Sequence, residues 1–590
     1  MRFIYSYVKK YKWLAIFAMT VKFSASLGEL MLPYVLEHMI DDVVPTGIMK
    51  NVLLWGVGMI LLAILVRQLN VKANRTAIKV ARDSIYEIRK DLFWKTLELS
   101  GRQVDEVGLP SLTSRMTSDS YNLQNFIQSI QAMGVRAPIM LFGGIIITMT
   151  MDPGLASILC IMAPILIVIV IFVSIKGIPL YDKVQHSVDE IVRIMRENIT
   201  GIRVVKSLSK EKYEMNRYEQ ANVNMATSDM KAGVVMALPG PIMTLFLNVG
   251  LTLVVILGAH RVNDGLIEPG VILAFLTYFN MILQGVMGLN RVFMNMSKAN
   301  ASAKRIEMVV KAKQELAPIA QEQAAKPDPQ RYGEDDYIIF DHVDFSYVAE
   351  GESENSENFN GLNREKCLYD IHFSMKKGES LGIIGATGAG KTTIINLLMR
   401  FYDAEKGNIF VNGKDVRTYD RDTLHRMFGV VFQNDVIFAD SLRENISFGR
   451  DVDTQDIRMA AEDARAKEFI EAYEDSYDHM AVIHGANLSG GQRQRTLIAR
   501  ALVADPDILV LDDSSSALDY KTDAALRKAI SEHHADSTMI VIAQRISSIL
   551  NMDRIIVLEE GRMIGYGTHG ELMETCQVYQ DIYKTQMGEV

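Results

Sequence analysis

Three stretches of this 590-residue chain, Leu155–Ile175, Val234–Ala259 and Val271–Asn290, contain no charged side chain. A helix needs roughly 20 apolar residues to cross about 30 Å of hydrocarbon, and uncharged runs of that length suit little else. The first half of the chain is therefore confined to membrane-spanning helices. Ala137–Met151 joins the Leu155 run through "DPG", a turn sequence that predicts a helical hairpin. Val52–Val66 is another span, and Trp13–Ile40 is a sixth, apolar apart from Lys22, Glu29, Glu37 and His38. Six crossings return the chain to its starting side.

Lys and Arg set the orientation. Arg67–Gln131 and Lys176–Lys231 are rich in both, whereas the three short opposite loops hold only Lys50 and Arg261. The long segments and both termini are expected in the cytoplasm, with the chain multi-pass in the plasma (inner) membrane. Lys9, Lys10 and Lys12 resemble the start of a signal peptide, but no small-residue cleavage site follows before Lys22, so the first span is expected to be retained. The long segments keep helical periodicity, as in "KVARDSIYEIRKDLFWKTLELS" (Lys79–Ser100). At about 1.5 Å per residue, the membrane helices should run tens of ångströms into the cytosol and pack on another domain.

The remainder is soluble in character. "KQELAPIAQEQAAKPDPQRYGE" loses all periodicity and reads as a linker, residues 313–334, between a six-helix, all-α membrane domain (1–312) and a domain of alternating short strands and helices (335–590). The acidic insertion Ala349–Lys366 is expected to be a surface loop. A net charge of −9 argues against a nucleic-acid partner. Cys160, Cys367 and Cys576 are far apart and form neither a disulfide framework nor a zinc pattern.

"SLGIIGATGAGKTT" is a strand, a glycine-rich loop and a helix start that fits the phosphate-binding P-loop through Gly385, Gly388, Gly390, Lys391 and Thr392. Thr387, Ala389 and Thr393 lie in the same stretch. Loop amides and the helix N-terminus donate to phosphate, Lys391 neutralises β/γ charge, and Thr392 with Asp512 would ligate Mg2+. Asp512 ends the apolar strand "ILVLD", as this constellation requires. A second anion cradle, "LSGGQ" (Leu488, Ser489, Gly490, Gly491, Gln492), cannot enclose the same nucleotide without folding the domain on itself. Two domains arranged head to tail would let each present this cradle to the other's ATP.

With these motifs the chain resembles the ATP-binding cassette family, specifically exporter-type half-transporters with one membrane domain and one cassette. The resemblance implies that Tyr347 in "VDFSYV" stacks on adenine and that Gln433 in "VVFQNDVIF" senses Mg2+ and meets the membrane domain. It also implies that "SRMTSD" (Ser114–Asp119) and "ENITGIRVVKSL" (Glu197–Leu208) carry the coupling helices of the intracellular loops. Two positions depart from the family. The acid after Asp512 is normally Glu, the general base, but here is Asp513. The switch residue is normally His, but here is Gln544 in "VIAQRISS". An Asp carboxylate stops about 1.5 Å short, and an amide cannot carry the charge of an imidazolium. The segment "HMAVIHGAN" before the signature also lacks the family's usual acid.

The expected protein is one subunit of a heterodimeric, ATP-driven exporter of amphipathic, drug-like or lipid-like molecules. Its own site binds ATP but cleaves it poorly, and its LSGGQ completes the site of a second half-transporter. The alternative is an ATP-gated channel or regulatory subunit. Lys22 and Glu29 share a helix face and are costly in lipid. With Asn248, Asn280 and Gln284 they are candidates for a substrate cavity, or for interhelical bonding.

Overall fold

The computed structural model describes residues 1–348, 364–514 and 517–588. Most of the insertion Ala349–Lys366 lies outside them. The chain divides into two compact units, Met1–Thr96 with Pro110–Lys311, and Leu97–Leu109 with Ala312–Val590.

The first unit is helical and includes six segments long and apolar enough to cross a membrane among the described residues. Met49–Glu98 is continuous over 50 residues, about 75 Å at 1.5 Å per residue, more than twice the hydrocarbon thickness. The hairpin expected at "DPG" is present. The helix ending at Met151 gives way at Asp152, whose Oδ1 accepts from the Leu155 amide at 2.7 Å and caps Pro153–Thr200. Proline fits the first helical position because its missing N–H would have no partner there. Asp152 is 3% exposed and is paired with Arg261 at 2.7 Å.

Lipid is as apolar as leucine, so helices in this unit are held by close approach and polar bonds rather than by exclusion of water. A Cβ at Gly285, on helix Pro269–Val310, would lie 2.9 Å from the Ala137 carbonyl oxygen, so only glycine admits that backbone. Nearby, the buried Tyr278 hydroxyl donates to the Leu30 carbonyl at 2.7 Å.

Ser114–Asp119, expected at a loop tip, is instead built into the first unit. Arg115 is 1% exposed and donates to the Arg305 carbonyl, while Arg305 Nε donates to the equally buried Asp119 at 2.8 Å. The charges of the segment are consumed by this pairing. The segment that belongs to the second unit is Leu97–Leu109. There Ser100 caps helix Gly101–Val107 in a reciprocal capping box with Gln103, and Asp105 accepts from the Tyr402 hydroxyl at 2.6 Å. Of Glu197–Leu208, the short helix Ile202–Ser207 exposes Ile202 and Val204.

The second unit is built on a ten-stranded sheet. Its strands are β1 (Asp336–Val348), β2 (Arg364–Lys376), β3 (Ser380–Gly385), β4 (Lys406–Val411), β5 (Lys414–Asp415), β6 (Phe428–Val431), β7 (Ile508–Asp512), β8 (Thr538–Ile542), β9 (Arg554–Glu559) and β10 (Arg562–Gly567). The spatial order is β5-β4-β1-β2-β10-β9-β3-β8-β7-β6. β9, β3, β8, β7 and β6 run parallel, while β1, β2, β4 and β5 pair antiparallel. β3, β7 and β8 are almost wholly buried, which explains why they are rich in Ile, Val and Leu rather than alternating with polar residues. Residues 313–334 are irregular apart from a single 3-10 turn at Gln321–Gln323, and are tied down, because Ile319 N donates to the Arg417 carbonyl at 2.9 Å and Arg400 Nη2 to the Ala317 carbonyl at 3.1 Å.

Candidate functional site

In an open parallel sheet, ligands gather at the carboxyl ends of the strands. Here the order β3-β8-β7-β6 sets four chain segments side by side: the loop from Gly385, the turn carrying Gln544, the pair Asp512–Asp513, and Gln433.

The loop leaves β3 and enters helix Lys391–Leu398, where Thr393, Ile394, Ile395, Leu397 and Leu398 are buried. That apolar face locks the helix against the sheet with its N-terminus at the strand ends. Gly388 and Gly390 have φ of 84° and 92°, and a Cβ at Gly390 would lie 2.6 Å from Leu368 Cδ2, so glycine is required there on two counts. Thr387 and Gly388 are exposed, while Ala389 beneath them is buried. Lys391 Nζ donates to the carbonyls of Gly385 and Ala386 at 2.9 and 2.8 Å, curling over its own loop. Burial holds this ammonium below its ordinary pKa, with Asp512 and Asp513 pulling the other way.

Thr392 Oγ1 donates to Asp512 Oδ2 at 2.7 Å. A hydroxyl and a carboxylate at that separation are the hard oxygen pair that could hold Mg2+ beside phosphate, so these residues fit the ion. Asp512 is 1% exposed, and burial followed by the neighbouring charge of Asp513 raises its pKa. Asp513 is also raised, by burial. It adopts φ of 50°, unusual for a non-glycine residue, and its amide donates to the Ile542 carbonyl at 2.9 Å, which ties its position to β8. Gln544 Nε2 then donates to Asp513 Oδ2 at 2.8 Å. The two departures from the family pattern therefore touch each other.

Tyr347, at the end of β1, donates its hydroxyl to Thr393 Oγ1 at 3.2 Å. Its ring meets Phe345 and Tyr402 edge-on, with centroids 4.8 and 5.3 Å apart. Gln433 is exposed beyond β6. In the signature, Leu488 is buried and Ser489 caps helix Gly490–Leu502. Gln492 N donates to Ser489 Oγ, and Ser489 N donates to Gln492 Oε1, at 3.2 and 2.8 Å. Gly490 and Gly491 form the first turn, leaving a helix N-terminus able to receive an anion. Among the described residues, no hydrogen bond joins this segment to the loop from Gly385.

Three contributors carry no sequence signal of their own. Gln586, near the C-terminus, accepts from Ile546 N at 2.7 Å and donates to the Gln544 carbonyl at 2.9 Å, clamping the switch turn from both sides. Gln494 donates to the Asp513 carbonyl at 3.4 Å and accepts from Ala517 N at 3.2 Å, linking the signature helix to the acid. Arg500 donates to the Asn445 and Val436 carbonyls at 2.7 and 3.0 Å, fixing the loop beyond Gln433.

The polar residues of the membrane helices form a separate network. Lys22 Nζ donates to Asn70 Oδ1 at 2.6 Å and to Asn74 Oδ1 at 3.3 Å, while Asn70 Nδ2 donates to Glu29 Oε1 at 2.8 Å. Lys22 and Glu29 thus share Asn70 rather than pairing directly. Glu29 is taken by Arg136 at 2.9 Å, and Arg136 reaches Gln284 at 3.3 Å. Asn280 bonds its own helix at Leu276, and Asn248 is exposed; neither joins the network.

Known proteins resemble this chain in sequence and in fold. Residues 15–287 match the model of the ABC transporter transmembrane region, and residues 368–516 match the ABC transporter model. The uncharacterized ABC transporter ATP-binding protein YfiB of Bacillus subtilis is 32% identical over 99% of this chain and 98% of its own length. The chain belongs to the ABC transporter family. An uncharacterized ABC transporter ATP-binding protein of Mycobacterium tuberculosis is 30% identical over 98% of this chain and 97% of its own length. In fold, this ABC transporter resembles a bacterial Atm1-family ABC exporter solved with ATP bound, with a TM-score of 0.79 at 22% identity over 97% of this chain and 99% of that one. Membership implies nucleotide binding and ATP hydrolysis by the cassette, coupled to transport through the helical unit.

Proposed function

We propose that this chain is one subunit of a heterodimeric exporter that moves amphipathic, drug-like or lipid-like molecules out of the cytoplasmic (inner) membrane, with both termini cytoplasmic. In this reading residues 1–312 are the membrane domain, 313–334 a linker and 335–590 the cassette. Gly385–Thr393 cradle the phosphates, Tyr347 stacks on adenine, and Thr392, Asp512 and Gln433 serve Mg2+, which when bound offsets phosphate charge. Helix Gly101–Val107 is the first coupling element and Ile202–Ser207 the second. The signature Leu488–Gln492 completes the nucleotide site of a second half-transporter.

The observation that carries the division of labour is the 2.8 Å bond from Gln544 to Asp513. A general base must point a free lone pair at the attacking water. Here the shorter acid is held back on β8 and one oxygen is occupied by a neutral amide. Misplacement of about 1 Å can lower a rate about a hundredfold, and an amide cannot stabilise developing phosphate charge as an imidazolium does. ATP binding is retained, because the hydrogen bonds of Lys391 and Thr392 go to Gly385, Ala386 and Asp512 and not to this pair. Two such sites in a homodimer would turn over slowly, whereas a partner with Glu and His at these places would use the intact signature here.

The test is steady-state ATP hydrolysis by the purified chain alone and with its co-expressed partner. Slow hydrolysis alone, with tight ATP binding, and fast hydrolysis in the pair are expected. Brisk hydrolysis by the chain alone, abolished by Asp513→Ala, would refute the proposal.

A further inference from the structure

The polar network of the membrane helices lines a cavity of about 420 Å³, within the range of small-molecule sites. Charges facing it do not balance. Glu29 is the acid of the lining, and it is already engaged by Arg136 at 2.9 Å and by the Asn70 amide. Lys22 is only 6% exposed, yet its ammonium is met by two neutral amide oxygens, those of Asn70 and Asn74. Arg67 faces the same space and has no carboxylate partner among the described residues. With Arg136 and Glu29 cancelling, the cavity carries two uncompensated positive charges. Most of the remaining lining is apolar.

An intramembrane cation is costly to bury, and such residues mark pathways or binding sites unless they are paired. A structural cross-link would have matched Lys22 with a carboxylate. Instead Asn70 stands between Lys22 and Glu29 and keeps the two charges apart, leaving the ammonium preorganised and unneutralised. Lys22 lies roughly 15 Å of helix beyond Lys12, and Arg67 closes the apolar run Val52–Val66. Lys22 therefore falls in the cytoplasmic half of its span and Arg67 at the cytoplasmic end of its own, where a ligand arrives from the cytosol or the inner leaflet.

We infer that this cavity binds the head of an anionic amphiphile, a phosphate, sulfonate or carboxylate on an apolar tail. Lys22 and Arg67 are the charge partners, and the Asn70 and Asn74 amides hold Lys22 in place. The inference rests on the reading of the chain as an exporter of amphiphiles and narrows its substrate to anions.

The test is direct binding to the full chain in phosphatidylcholine nanodiscs without ATP. Three probes share one tail and differ in head: dodecyl phosphate, dodecyltrimethylammonium and dodecyl maltoside. Dodecyl phosphate should bind at least about tenfold more tightly than the other two, and its affinity should fall with added salt. Arg67→Glu, at an exposed position, should weaken dodecyl phosphate about tenfold or more without altering the maltoside, and Arg67→Lys should restore it. Nanodiscs with equal parts phosphatidylglycerol identify a bilayer lipid as the source if they compete, and inorganic phosphate identifies a free anion if it competes instead. Equal affinity for the three heads, or no response to Arg67→Glu, would overturn the inference. Because neither hydrolysis nor a partner is needed, failure of pumping or of pairing reads separately from failure of binding.

Discussion

Replacing Asp513 by Glu and Gln544 by His together should turn this chain's own nucleotide site from slow to fast. The Asp513 amide is bonded to the Ile542 carbonyl at 2.9 Å, so the backbone cannot slide forward to compensate for a short side chain. Glutamate advances the carboxylate by about 1.5 Å, and displacements near 1 Å are associated with about a hundredfold in rate. With Gln544 still in place, the longer acid overshoots a donor now set 2.8 Å from Asp513 Oδ2, and the charge-stabilising group is still missing. The single change Asp513→Glu should therefore raise turnover only a few-fold. Adding Gln544→His supplies a group that can become cationic, and single donors of this kind are worth about 10²–10³ in rate. The double variant should gain about a hundredfold or more. The assay is steady-state phosphate release by the purified chain in liposomes at saturating Mg-ATP, with Lys391→Ala as the blank. Full recovery from Asp513→Glu alone would refute the role given to Gln544, and a wild-type rate equal to the double variant would refute both.

Gln586→Ala removes both bonds that clamp the switch turn; the slow hydrolysis of the purified chain alone should fall a few-fold, while the rate of the complex, set by the partner's site, and the ATP dissociation constant measured by equilibrium binding stay the same. Arg305→Ala removes the half-exposed cation from the buried Asp119 carboxylate, which keeps its bond from Ser302; the loss should be about 1–3 kcal/mol, seen as a lower thermal midpoint in detergent, and Arg305→Ala with Asp119→Ala should recover part of it. Burial holds the His425 imidazole, whose Nε2 meets the Met399 carbonyl at 2.9 Å, below its ordinary pKa. Stability from this residue is therefore complete above about pH 6.5 and is lost as pH falls toward the depressed value. Thermal unfolding of the wild type should decline more steeply between about pH 6.5 and 5 than that of His425→Gln.

The six spans were legible because lipid imposes a one-dimensional rule, an uncharged run of sufficient length, that needs no knowledge of neighbours. The phosphate loop was legible for a similar reason, since strand, loop and helix are consecutive and the glycines are required by local φ. Ser114–Asp119 resembles a coupling loop in sequence, but Arg305, far along the chain, is brought beside Asp119 and builds the segment into the membrane unit. The segment that does belong to the cassette unit, Gly101–Val107, declares itself through residues distant in sequence, such as Tyr402, whose hydroxyl reaches Asp105, and Lys313, whose carbonyl accepts from Gln103. Lys22 and Glu29 were correctly drawn to one helix face, but Asn70 and Arg136 decide that they do not pair.

What the sequence determined by itself is everything set by period, run length and consecutive motif: helices that cross a bilayer, a cassette with a phosphate loop, and an acid one methylene short. What only the tertiary structure decided is who meets whom across hundreds of residues, such as Gln544 with Asp513, Gln586 with the switch turn, and Asn70 between two charges. Local rules act through bonds and backbone geometry, whereas hydrogen bonds and charge compensation depend on distance in space, which the order of residues does not encode directly.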